Sequence, residues 1–405
     1  MNRLAVLRAQ TREWAAELRP HALEVDRDPD AVVRHLGLPA LSRVARLQIP
    51  PQYNPDPLVL DGHRFYLDSA AERVVFLEEL AWGDLGLTLA APGGAMAGVL
   101  VGALGSPAQQ DWFFDRLLSG PGGPAWTCFA LTEAGRGSDA TGMRTTLTTR
   151  GDGTLVLDGG KRYVGNAVRA RLGVTFARTG TGPLGFAAVL IEPGGPGGPG
   201  VAGNSGEPGS PGEPGSPGMR GITAEPVPTI GLRGAQLGAL TYDGVEVPPE
   251  RVLGRHLPAS RRGMWGWVRT FNLLRPSVAA MGLGIARAAY EYILDHRPAD
   301  ERLDRIGRRI AAVRRLTARA AEAVDRDPGD GHLASAAKVR AARLVEDVTR
   351  ECLDRLGPGA VFDHPLLEKL ARDARGIEFM EGAGNVQRLA VFGALQRGQL
   401  ALEPA

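Results

Sequence analysis

The apolar residues of this chain change their period twice, and that alternation restricts the fold more than any single motif. Residues 71–81 (AERVVFLEELA) place apolar side chains on one face of a helix, and residues 84–104 are rich in small and apolar types, as in a buried helix. Proline punctuates the early part at Pro20, Pro39, Pro50 and Pro57. The helical rhythm stops near Pro124. From Trp126 to Val252 the apolar runs are short and bounded by turn residues: GTLVLDG (153–159), RLGVTFA (171–177), GFAAVLI (185–191) and LGALTYDGVEV (237–247), all of which read as strands. Helical period returns from about residue 261 to residue 396. There, residues 277–294 form a long apolar-faced helix with Pro276 near its first turn, and residues 303–324 and 333–356 are amphipathic with Arg on the polar side. The expected class is α+β: a helical domain over 1–125, a small β domain over 126–255 and a second helical domain over 256–405.

One segment departs from both periods. Between residues 194 and 221 glycine stands at every third position, as in GEPGSPGEPGSPG. A collagen triple helix demands that spacing, because only glycine fits its axis. Here the run is short, and both flanks must return to one sheet. The expectation is a flexible Gly/Pro-rich loop inserted between two strands.

The charge balance narrows the function. With 47 Lys+Arg against 45 Asp+Glu the formal net charge is +2, which gives no basic excess for nucleic acid. Lysine is scarce and arginine abundant. Cys128 and Cys352 are the only cysteines, far apart and without a CxxC neighbour, so neither a disulfide framework nor a metal site is expected. The first residues, MNRLAVLRAQTREWAAEL, mix charge with apolar residues, unlike a signal peptide, and no window offers the roughly 18 apolar residues of a membrane span. A cytoplasmic location is expected.

Four segments hold chemistry. CFALTEAGRGSD (128–139) joins a strand to a turn in which Gly135 and Gly137 admit a ligand close to the backbone, whose N–H groups can hold an anion. GGKRYVGN (159–166) offers Tyr163 to stack on a flat ring. FNLLRPSVAA (271–280) places Arg275 where it can meet an anionic or carbonyl group. ARDARGIEFMEGAGNVQR (371–388) sets Glu381 after the apolar pair Phe379-Met380, and a carboxylate bordered by apolar groups tends toward the raised pKa of a general base. Taken singly, each has an ordinary reading as well: a surface turn, a strand aromatic, a solvated helix-start Arg and a helix-end Glu.

Together, in this order and spacing, the segments resemble the acyl-CoA dehydrogenase family over nearly the whole chain. GLRGAQLGALTYDGVEVPPERVLG (231–254) and the helix through residue 294 extend the likeness. The resemblance implies an N-terminal helical domain, a central β-barrel-like domain and a C-terminal four-helix bundle. It implies FAD bound between the β and C-terminal domains, with Phe129, Leu131 and Thr132 along the isoalloxazine, Ser138 at the phosphates, and Tyr163 packed on the flavin. It places Arg275 near the thioester tail of the substrate and makes Glu381 the base that takes the α-proton while a hydride leaves the β-carbon for the flavin. The implied partners are an acyl-CoA or acyl carrier protein thioester, an electron acceptor and further copies of the chain, as a homodimer or homotetramer.

The sequence also leaves the family pattern. A flavin-side hydroxyl two residues after the Tyr163 position is replaced by Gly165, and the usual EGT reads Glu381-Gly382-Ala383. The R-x-x-F-G segment that reaches a partner subunit's FAD becomes HRPAD (296–300), ahead of a helical hairpin expected to be short. These departures, with Arg305, Arg308, Arg309, Arg314 and Arg315 on one helix, resemble the branch that serves polyketide and related biosynthesis. Two further readings stay open: oxidation of a carrier-bound C3 hydroxyl or aldehyde unit in hydroxymalonyl- or methoxymalonyl-carrier formation, and a non-catalytic homologue.

Overall fold

A computed structural model describes residues 2–46, 48–119, 124–182, 184–193 and 219–399. The first part is helical: α1 (Arg3–Leu18), α2 (Ala22–Arg27), α3 (Pro39–Val44), α4 (Ala70–Ala90), α5 (Ala95–Leu104) and α6 (Pro107–Leu118), with a small antiparallel ribbon of β1 (Leu58–Leu60) and β2 (His63–Phe65) between α3 and α4. The Ser69 side chain accepts from Glu72 N and starts α4. The expected helix over 84–104 does not exist as one piece. Asp84 leaves helical geometry inside α4, accepts Leu87 N on its own carboxylate at 2.7 Å and so restarts the helix, which then ends before Pro92 and Gly93 (φ 131°).

The middle of the chain folds into β3 (Thr127–Ala130), β4 (Thr146–Thr149), β5 (Leu155–Val164), β6 (Leu172–Arg178), β7 (Phe186–Ile191), β8 (Ile222–Pro226) and β9 (Gly238–Val247). β3 and β4 both run parallel to β6 along different stretches of it, and β7 lies antiparallel on the other side. β4, β5, β9 and β8 continue in antiparallel order. The barrel-like expectation therefore takes the form of an open mixed sheet, with β7 and β8 at its edges and unpaired with one another among the described residues. Residues 194–218 of the glycine-periodic run lie outside the described residues. Their flanks meet: Met219 N donates to Glu192 O at 3.2 Å.

The last part holds α7 (Gly263–His296), α8 (Glu301–Arg326), α9 (His332–Leu356), α10 (Ala360–Asp363), α11 (Pro365–Phe379) and α12 (Gly384–Gln396). α7, α8, α9 and α11 pack on one another and on α4, around Val278, Leu283, Ile285, Ile306, Val345, Leu370 and Ile377. A second core joins α5 and α6 to β3, β6, β7 and the start of α7 through Phe113, Phe114, Phe176 and Trp267. Gly284 lets α7 lie against α4, since a Cβ there would stand 2.4 Å from Glu78 O.

Two expectations about α7 to α9 are corrected. α7 begins at Gly263, so Pro276 is inside it rather than in its first turn, because the apolar face extends back through Trp267, Thr270 and Leu274. A proline there leaves the carbonyl of Asn272 without its helical donor. The hairpin of α8 and α9 is not short: its helices hold 26 and 25 residues.

Candidate active site

Glu381 occupies the turn between α11 and α12, with φ 50°, and Gly382 follows at φ 97°. A left-handed non-glycine residue costs roughly 1–3 kcal/mol and persists only where its surroundings hold it. The turn is held from four sides. Lys338 Nζ, from α9, donates to Glu378 O at 2.6 Å and Gly382 O at 2.7 Å. Arg275 Nε, from α7, donates to Glu381 O at 3.3 Å, and Gln387 Nε2 reaches the same oxygen at 3.1 Å. Gly384 N donates back to Glu378 Oε1 at 2.6 Å, which fixes the start of α12.

The Glu381 side chain is not consumed by this scaffold. Its Oε2 is buried and has no hydrogen-bond partner among the described residues. Burial pushes the carboxyl up to about 8, against the pull of Arg275, Lys338 and Arg73. Burial lowers the Arg275 and Arg73 guanidinium pKa values, and it lowers the Lys338 ammonium to about 8. Arg73 spends Nη1 on the carbonyls of Leu67 and Asp68 and Nη2 on Leu273 O, which ties the start of α4 to α7. A buried carboxylate with an unpartnered oxygen and a proton affinity near neutrality suits proton abstraction.

A short series of contacts connects this turn to the sheet. Arg275 lies 5.7 Å over the Phe271 ring one helical turn earlier, and Phe271 stands 5.9 Å from Phe129 on β3. Phe129, Arg275 and Glu381 are thus brought together. Leu131 is buried, and its carbonyl accepts from Lys161 Nζ at 3.2 Å. Thr132 O accepts Arg162 N at 2.8 Å, which sets the β3 end beside the end of β5, where Tyr163 is 54 % exposed at φ 60°. Gly165 lies two residues on, with only Leu237 Cδ2 near a would-be Cβ, at 3.9 Å. Ser138 is exposed in the following turn and takes no part in the contacts that reach Glu381. Around it Gly135 and Gly137 face open space. An exposed aromatic, a half-buried Phe129 and an open glycine turn fit a flat ring joined to an anionic tail.

The acidic residue of the first motif has a different duty. Glu133 is buried and accepts Lys161 Nζ (2.8 Å), Thr145 Oγ1 (2.6 Å) and the amides of Arg144 (2.6 Å) and Thr145 (2.9 Å). Burial alone pushes its pKa up, but these donors outweigh it and hold the carboxyl at about 2. It is a structural anion that fixes the turn. Lys338, Arg73 and Gln387 escaped the sequence reading because their partners are main-chain oxygens or distant charges. One signal was available: the chain has three lysines, Lys161, Lys338 and Lys369, and all are buried at 2 % exposure or less.

Comparison with known proteins agrees with this geometry. Residues 128–245 match the acyl-CoA dehydrogenase middle domain and residues 261–395 its C-terminal domain, together more than half of the chain. An acyl-CoA dehydrogenase of Bacillus subtilis (strain 168) is 29 % identical over 308 residues, covering 71 % of this chain and 72 % of that protein. The butyryl-CoA dehydrogenase of Megasphaera elsdenii superposes with a TM-score of 0.76 at 23 % identity, over 96 % of this chain and 98 % of that one. A prolyl acyl carrier protein oxidase, AnaB, does so with a TM-score of 0.77 at 19 % identity, over 98 % and 99 %.

Proposed function

Since the chain belongs to the acyl-CoA dehydrogenase family, and is a flavin oxidoreductase acting on CH–CH groups with FAD as cofactor, we propose that Glu381 is the base that abstracts the α-proton of an acyl thioester. The observation behind this is the buried Oε2 of Glu381, without a hydrogen-bond partner among the described residues, on a turn clamped through its main chain.

Bound FAD supplies the acceptor for the hydride that leaves the β-carbon. The residues that fit it are Phe129, Leu131 and Thr132 along the β3 end, Tyr163 and Gly165 at the β5 end, and Ser138 in the glycine turn toward the phosphates. Glu381 takes the α-proton as the α-carbon–hydrogen bond breaks, and the neutral carboxylic acid that results suits a buried site. Arg275 fixes the main chain beneath it and lines, with Asn272 and Ser335, a cleft of about 610 Å³ between α7, the α8–α9 loop and α12.

The thioester is carried by CoA or by an acyl carrier protein. Of the five arginines singled out on α8, Arg309 pairs with Asp347 at 2.8 Å and Arg314 with Glu78 at 2.5 Å, so these two are structural. Arg305, Arg308 and Arg315 are exposed and form a basic face toward which an acidic carrier would be steered. Anaerobic mixing of the FAD-loaded protein with acyl-CoA and acyl-carrier thioesters, followed by flavin bleaching, tests the reaction and separates the carriers. Bleaching of Glu381→Gln at the wild-type rate overturns the assignment of the base.

A further inference from the structure

We propose that Lys338 is a positioning residue for the base: through the carbonyls on either side of it, its ammonium holds Glu381 in its left-handed conformation and governs the proton affinity of the carboxyl. The inference rests on the reading of Glu381 as the base.

The other two lysines show what is unusual about Lys338. Lys161 is paired with Glu133 at 2.8 Å, and Lys369 with Asp84 at 2.5 Å and Asp373 at 2.6 Å. Each of these ammonium groups is neutralised by a carboxylate in contact. Lys338 is fully buried, yet its Nζ touches main-chain oxygens only, those of Glu378 and Gly382, and it forms no ion pair among the described residues. Burying an ammonium without a paired anion is costly, and an amide side chain could serve two carbonyls at lower cost.

The compensating charges lie one step further out. Glu378 O is one of the unsatisfied carbonyls at the negative end of α11. The charged groups around the Glu381 carboxyl are Arg275 from α7, Arg73 from α4 and Lys338 from α9, with Glu378 on its own segment, where it is already engaged by Gly384 N. The two carbonyls gripped by Lys338 bracket Glu381 in sequence. One side chain therefore pins the strained residue and, while it is protonated (burial lowers its pKa to about 8), adds a positive charge beside the turn. Without that charge, burial opposes ionisation more strongly and the base is protonated at the pH where it must be free.

The test uses the FAD-loaded full chain and variants Lys338→Gln, Lys338→Met and Lys338→Arg, with FAD content and melting temperature measured for each. The Glu381 carboxyl is titrated without substrate by its protonated-carboxyl stretch in infrared difference spectra, with Glu381→Gln as the blank. Expected is a midpoint moved to higher pH by about one unit, roughly tenfold in proton affinity, in Lys338→Gln and Lys338→Met, and restored in Lys338→Arg. Lys338→Gln keeps a donor to the turn, so it decides the matter even where Lys338→Met does not fold. An unmoved midpoint in Lys338→Gln overturns the proposal. Full flavin reduction by Glu381→Gln would instead overturn the assignment of the base and leave the infrared result standing.

Discussion

Arg275 and Glu381 meet through the main chain: the guanidinium donates to the Glu381 carbonyl at 3.3 Å and to Asn272 Oδ1 at 2.5 Å, and forms no ion pair with the carboxylate. The proposed proton acceptor is thus held firmly without being saturated. Glu381→Gln is expected to retain FAD and to lose about two to four orders of magnitude in flavin reduction by acyl thioester, in line with the loss of a positioned base. Stopped-flow absorbance under anaerobic conditions measures it.

The same carboxyl gives two pH dependences of opposite sense. As the proposed base, Glu381 acts ionised, so the rate of flavin reduction is expected to rise with pH through about 8. Stability runs the other way. The folded-state pKa lies above the ordinary value of 4.5, so the contribution is fully present below that value and is lost as pH rises through about 8. Glu381→Gln, which cannot ionise, should gain in melting temperature over the natural protein above pH 8 and not at pH 4.5. Equal differences at both pH values would contradict the burial of this group.

Glu133 tests the same logic with the sign reversed. Its carboxyl is held at about 2, so its contribution is present above its ordinary value and fades as pH falls toward 2. Glu133→Gln leaves the Lys161 ammonium buried without its anion and should cost about 3–5 kcal/mol at pH 7. Urea unfolding at pH 7 and pH 3 checks both the loss and its shrinkage in acid.

How much of this was legible in the sequence differs from residue to residue. The strands at 171–177 and 185–191 and the helices at 303–324 and 333–356 appear within a few residues of their expected places, because one buried face imposes its period on the sequence. The strand that opens CFALTEAGRGSD is β3, but β4 and β8 were missed, since strands of four or five residues show little alternation, and nothing local announces that β3 and β4 both run parallel to β6. At the site, Glu381 was visible through its motif. Its clamp was not: Lys338 lies 44 residues from Gly382 and bonds to a carbonyl that every residue type possesses.

Gly165 is a departure that the structure makes reversible. A Cβ at this position meets nothing closer than 3.9 Å and the backbone needs no left-handed φ, so Gly165→Thr should fold with its melting temperature nearly unchanged. With the hydroxyl placed beside the flavin, the visible flavin spectrum and the reduction midpoint should shift. A variant indistinguishable from the natural protein in both would move Gly165 away from the cofactor.

The hydrogen bond from Met219 N to Glu192 O at 3.2 Å makes residues 194–218 removable. Replacing them with a short Gly-Ser linker should leave FAD content and flavin reduction unchanged and alter stability by about 1 kcal/mol or less, since loop closure depends weakly on length. Loss of soluble protein would show that the segment does more than join β7 to β8.

The burial of all three lysines bears on the chemical safety of the protein. Thioesters acylate exposed amines without any enzyme, whereas guanidinium groups, which stay protonated, resist them. A chain whose soluble face is built from arginine can therefore work amid activated acyl groups without its lysines being modified by its own reactants. Amine-directed reagents and lysine-specific proteases would reach the three lysines only once the fold opens, so the onset of lysine labelling would count unfolding events one molecule at a time.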